Sequence, residues 1–166
     1  MPTRDSLFTA LTYAALLGSA LMAGTFFAFS AFVMRALGRL PAAQAVAAMQ
    51  AVNVAVLNPV FLGAFVGTAA ASAALGVGAA LRWDRAGAGW LAAGAVLYVA
   101  GTFGVTAGLN VPLNDRLATV APDDPDAVRR WAEYAGPWTG WNHVRTAAAL
   151  AATGAFAAAL RCQDGG

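Results

Sequence analysis

His143 is the single histidine of this chain, and it stands in a run, Trp141-Asn-His-Val-Arg145, that is dense in side chains able to do chemistry. An imidazole titrates near physiological pH, so His143 could serve as a general base or supply one metal ligand. The plainer alternative is a histidine at a headgroup boundary. One histidine does not build a usual metal site, which takes three or four protein ligands. Asp115 and Glu133, the carboxylates nearest in sequence, match no metal spacing, so no metal ligands are assigned, although the residues alone do not exclude a metal or haem. Arg145 follows two positions later, about 200° around a helix, so the pair meets one ligand only where the helix start is irregular. In Asn110-Val-Pro-Leu-Asn114 the two amides lie four apart and share a helix face. Pro112 frees a backbone carbonyl there for an amide or a ligand. Equally, the two Asn could cap and end a kinked helix. Trp131, Tyr134, Trp138 and Trp141 suit either interfacial anchoring or the walls around a flat aromatic ligand.

These side chains need a scaffold, and the composition says which kind. The 166 residues are 60% hydrophobic and 11% charged, with mean hydropathy +0.63. A soluble domain carries about a quarter charged residues, so lipid must cover much of this surface. Charge is absent over residues 6–34, 42–81 and 86–114, and a span needs about 20 apolar residues. A fourth run, residues 144–160, is Ala-rich and only marginally long. The first run is far longer than a signal-peptide core, so it is expected to be a retained membrane helix. The second run exceeds one crossing. Its opening, from Pro41 to Asn53, predicts a helix near the interface, followed by a span with a kink at Asn58-Pro59.

The expected fold is all-α: one integral membrane domain over residues 1–166, a four-helix bundle with spans near 6–34, 54–81, 88–111 and 142–161. Short interfacial helices are added before span two and in the loop between spans three and four. In that loop Asp124 would cap a helix with Pro125 at its first position, and Gly136-Pro137 would stop it. Gly63-Ala-Phe-Val-Gly67 and Gly104-Val-Thr-Ala-Gly108 have the spacing that lets backbones approach in lipid. Trp83 and Trp90 flank the Arg82–Arg85 turn as an aromatic belt would.

Four alternating spans put the end of the first, the start of the second, the end of the third and the start of the fourth on one side. Asn53, Asn110, Asn114, Asn142, His143 and Arg145 all belong there. Polar groups at membrane depth are costly and mark functional sites, so a pocket is expected at that face. No charged side chain lies deep within a span, which disfavours ion or proton transport. The basic charge is all Arg, most of it near helix ends and suited to headgroups, with no nucleic acid implied. Cys162 is the only cysteine, so no intrachain disulfide can form.

Met49-Gln-Ala-Val-Asn53, Asn58-Pro-Val-Phe61, Asn110-Val-Pro-Leu-Asn114-Asp115 and Trp141-Asn-His-Val-Arg145 together resemble the anthrone oxygenase-like family. The likeness reads from about residue 7 to 160, and its members are small four-helix membrane proteins. The resemblance implies oxidation of an anthrone to an anthraquinone with dioxygen as co-substrate and no recognised cofactor. On that implication His143 is the catalytic base, and Arg145 with Asn114 or Asn110 stabilises the oxyanion. Asn53, Asn110, Trp138, Trp141 and Asn142 would bind the substrate, with tryptophans sandwiching the rings. The implied partners are the lipid bilayer, as a multi-pass protein of the cell membrane, and a hydrophobic aromatic small molecule; an oligomer is not excluded. The alternative from another class is a non-catalytic membrane subunit or small-molecule binder.

Overall fold

A backbone set in hydrocarbon has no water to bond, so it closes its hydrogen bonds within helices. The computed structural model describes residues 2–121 and 124–164, and all regular structure among them is helical. α1 runs over Pro2–Ala28, a π-helical stretch Phe29–Val33 and a last turn Met34–Leu37. α2 is Ala42–Ala55, and α3 is Pro59–Ala80. α4 is α-helical over Ala88–Val96, π-helical over Leu97–Gly104 and Thr106–Asn110, and α-helical again over Val111–Ala118. α5 is a single helix, Ala127–Asp164.

Ser6–Leu37, Pro59–Ala80 and Ala88–Ala118 are long and apolar enough to cross a membrane. Only 22–28% of their most apolar windows is buried within the protein, so most of that surface needs lipid. α5 is not among them. Its first turns carry Arg129, Arg130 and Glu133, and its second half is rich in Ala rather than in larger apolar residues.

Three expected boundaries change. Asn58-Pro59 is a break rather than a kink: Asn58 Oδ1 accepts from the amides of Val60 and Phe61 at 3.1 and 3.0 Å and starts a new helix with Pro59 in its first turn. The Asn110–Asn114 stretch does not end its helix, which continues through Pro112 to Ala118. The wider π-helical turn just before it accommodates a proline ring that would otherwise crowd the preceding turn. Gly136-Pro137 does not stop a loop helix either. Tyr134 and Trp138, on either side of Pro137, are buried in a cluster with Met34, Val46, Met49 and Leu117. That packing offsets the roughly 3 kcal/mol that an interior proline costs, so the loop helix and the fourth apolar run become one rod.

α5 packs along α1 and α4, and α3 also packs along α1 and α4. At one end Arg82 lies 5.7 Å from the Phe8 ring, and Gly87 abuts Ala159 and Cys162. Gly87 has φ 84°, the left-handed conformation that favours glycine, and α4 starts directly after it. The core at this end holds Met22, Leu75, Leu91, Tyr98 and Phe156. Close backbone approach is made at glycines other than those expected. A Cβ on Gly101 would lie 2.7 Å from that of Ala148, and one on Gly76 would lie 2.8 Å from that of Ala95. Gly63, Gly67 and Gly108 face open space, and a Cβ on Gly104 would meet only Val99 O of its own helix at 3.3 Å, so neither GxxxG spacing meets a second helix inside the chain.

Candidate functional site

At the other end, α1, α2, α3, α4 and α5 surround a cavity of about 490 Å³. Phe26, Phe29, Phe61 and Phe65 give it aromatic walls, and Phe61 and Phe65 stack at 6.0 Å between centroids. Its polar groups are few: Gln50, Asn53, Thr106, Asn114, Asp115 and Arg145 are those that bear on chemistry. A mostly apolar hollow of this size with convergent polar groups has the form of a small-molecule site.

Arg145 is the cation in its wall, 5% exposed. Its Nε donates to Asn142 Oδ1 at 2.8 Å, and Nη1 donates to Thr106 Oγ1 at 3.4 Å. The guanidinium carbon lies 4.2 Å from the Phe26 ring centroid and 4.8 Å from that of Trp138. Cation–π contacts of this kind stabilise a desolvated cation by about 2 kcal/mol. They do not neutralise it. Among the described residues no carboxylate forms an ion pair with Arg145, so its charge stays open to a ligand in the cavity.

Asn142 aims that cation. It is wholly buried, and its Nδ2 donates to Phe26 O and Ser30 Oγ, both at 2.7 Å. Arginine Nε can only donate, so the Asn142 atom facing it must be oxygen, which fixes the amide's orientation. The same logic fixes Asn114. Its Oδ1 accepts from Trp138 Nε1 and from the Tyr134 hydroxyl, both at 2.9 Å. An indole N–H cannot accept, so the Asn114 NH₂ is left to offer to the cavity. Tyr134 precedes the apolar part of α5, and burial pushes its phenol well above the usual range, so it stays a neutral donor. Asn53 of α2 lines the same cavity.

The expected site residues therefore separate into three groups. Asn53, Asn114, Trp138 and Arg145 line the cavity. Asn110 and Asn142 are buried behind it, and Asn110 Nδ2 donates to Trp138 O at 3.2 Å. Neither is placed to bind substrate directly. His143 and Trp141 are exposed and do not line it. The reason is helical phase: α5 is regular there, so the turn of about 200° that buries Arg145 sends His143 outward. Gln50 is structural, donating to Leu117 O and Val120 O at 2.8 and 3.0 Å. Those carbonyls lie at and just beyond the end of α4, where Leu117 O also accepts from Val120 N at 3.1 Å, so Gln50 ties α2 to the close of that helix. Sequence reasoning missed the phenylalanines of α1 and α3. Phenylalanine is common in any span, so nothing distinguished these from lipid-facing ones. Among the described residues no three of His, Cys, Asp and Glu gather as metal ligands.

The sequence model of the anthrone oxygenase family matches residues 59–155. The chain belongs to the anthrone oxygenase family. The match covers more than half of the chain but is shorter than the stretch over which the resemblance reads. It includes Asn114, Trp138, Asn142 and Arg145, and it leaves out α1 and α2, which bring Phe26 and Asn53 to the cavity of this anthrone oxygenase family member. No curated protein and no solved structure matches the chain.

Proposed function

We propose that this chain is a membrane oxygenase that converts a flat anthrone-type phenol to the quinone with dioxygen, by electron transfer from the substrate itself. The observation that carries the reading is the unpaired Arg145 cation in an aromatic-walled cavity, beside the free NH₂ of Asn114. Family membership supports the same reaction class. The scaffold we propose is a four-helix membrane bundle in the cell membrane, with residues 142–161 of α5 as the fourth span. In that setting both substrate and dioxygen reach the cavity from lipid.

The chemistry follows from charge. Loss of a methylene proton sends the C–H electron pair to the carbonyl oxygen across the ring. Arg145 and the Asn114 NH₂ stabilise that oxyanion more than the neutral ketone. The electron-rich anion passes one electron to dioxygen, and the radical and superoxide join through a new C–O bond. Protonation gives a hydroperoxide, which loses the second methylene hydrogen as O–O breaks, yielding the quinone and water. One oxygen atom enters the product and the other leaves as water.

The test is turnover of dithranol, a dihydroxyanthrone, to its quinone danthron by membranes holding the protein at matched expression, with autoxidation in blank membranes subtracted. Arg145→Gln should lower turnover by about 10²–10³-fold, the usual loss for one oxyanion donor. No danthron above the blank defeats the oxygenase reading, and danthron binding without turnover makes the chain a binding protein.

A further inference from the structure

His143 points away from the cavity, which leaves the proton of the substrate without an acceptor. We infer that Asp115 is the general base, an inference that rests on the oxygenase reading. Among the described residues Asp115 is the carboxylate that lines the cavity. It directly follows Asn114 on α4, so the two side chains leave the helix about 100° apart. Asn114 is held in the wall by Tyr134 and Trp138, whereas Asp115 is exposed at the rim. No described residue holds its carboxylate in an ion pair or a hydrogen bond, so its lone pairs are open to a ligand.

Its placement relative to Arg145 matters as much as its charge. In an anthrone the methylene and the carbonyl stand on opposite sides of the central ring. The base must therefore stand apart from the guanidinium that faces the oxyanion. Here the carboxylate comes from α4 at the rim and the cation from α5, between the Phe26 and Trp138 rings. In the step the methylene C–H bond breaks and an O–H bond forms on Asp115. The electron pair moves through the ring to the carbonyl oxygen facing Arg145. After dioxygen adds, the carboxyl returns its proton to the outer peroxide oxygen, and Asp115 is again ionised.

Three measurements in detergent-purified full-length protein test this. Asp115→Asn keeps shape and polarity but removes the base. It should cut kcat for dithranol by about 10²–10⁴-fold and leave the affinity for danthron, measured by titration, at the wild-type value. Asp115→Ala should be inactive and should regain part of its activity with added formate, which can reach an exposed rim. Wild-type kcat in Asp115→Asn would overturn the assignment, and so would danthron affinity falling in step with kcat or no rescue by formate. Failure of the wild type itself to oxidise dithranol would overturn the oxygenase reading, and this inference with it.

Discussion

At the scale of single residues, the site is a chain of fixed donors. Asn142 holds Arg145 from behind, and Tyr134 and Trp138 turn Asn114 so that its NH₂ is free. Asn142→Leu would strip Arg145 Nε of its acceptor inside the protein. We expect a loss of about 1–3 kcal/mol in stability, read as a lower thermal midpoint in detergent, together with a raised KM for dithranol. A wild-type KM in that variant would mean that Arg145 is aimed by its aromatic neighbours alone. His143→Gln should turn over dithranol at the wild-type rate, because the imidazole stands outside the cavity; a large loss would return the base to His143. The residue types at this site were legible from Asn110-Val-Pro-Leu-Asn114 and Trp141-Asn-His-Val-Arg145. Which of them face inward was not, since one step of two residues along α5 separates a buried Arg145 from an exposed His143.

At the scale of elements, small residues decide where helices touch. Gly101→Ala and Gly76→Ala would press a methyl against Ala148 and Ala95, whose Cβ atoms are carried rigidly by their backbones. Overpacking of this kind costs about 1–3 kcal/mol, so both variants should melt at lower temperature. Gly63→Ala and Gly67→Ala meet nothing within the chain and improve helix propensity by about 0.8–1 kcal/mol each, so their melting should hold or rise. If they destabilise as much as Gly101→Ala, that face packs against something outside the chain. Asn58→Ala removes the side chain that starts α3 and should cost about 0.5–2 kcal/mol. The corner it shapes carries Leu57 and Phe61 to the cavity, so dithranol KM should rise with it.

At the scale of the whole molecule, four crossings would put both chain ends on one side and the cavity near the other. Arg35 and Arg39 after the first span outnumber Arg4 before it, so the cavity end is expected in the cytoplasm and the termini outside. Cys162 is exposed. An impermeant maleimide should label it on intact cells, and labelling only after permeabilisation would reverse the orientation. Hydropathy and charge alone determined that the chain is helical and needs lipid, because a backbone in hydrocarbon has few ways to satisfy its bonds and charge-free runs of spanning length show up in one dimension. The alternation of spans also determined which polar residues would share an end. The tertiary structure decided the rest. Pro137 sits inside α5 because Tyr134 and Trp138 are buried on either side of it. Asp115 rather than His143 reaches the cavity because helical phase and the packing of α4 against α5, neither of which spacing reveals, set which side chains face inward.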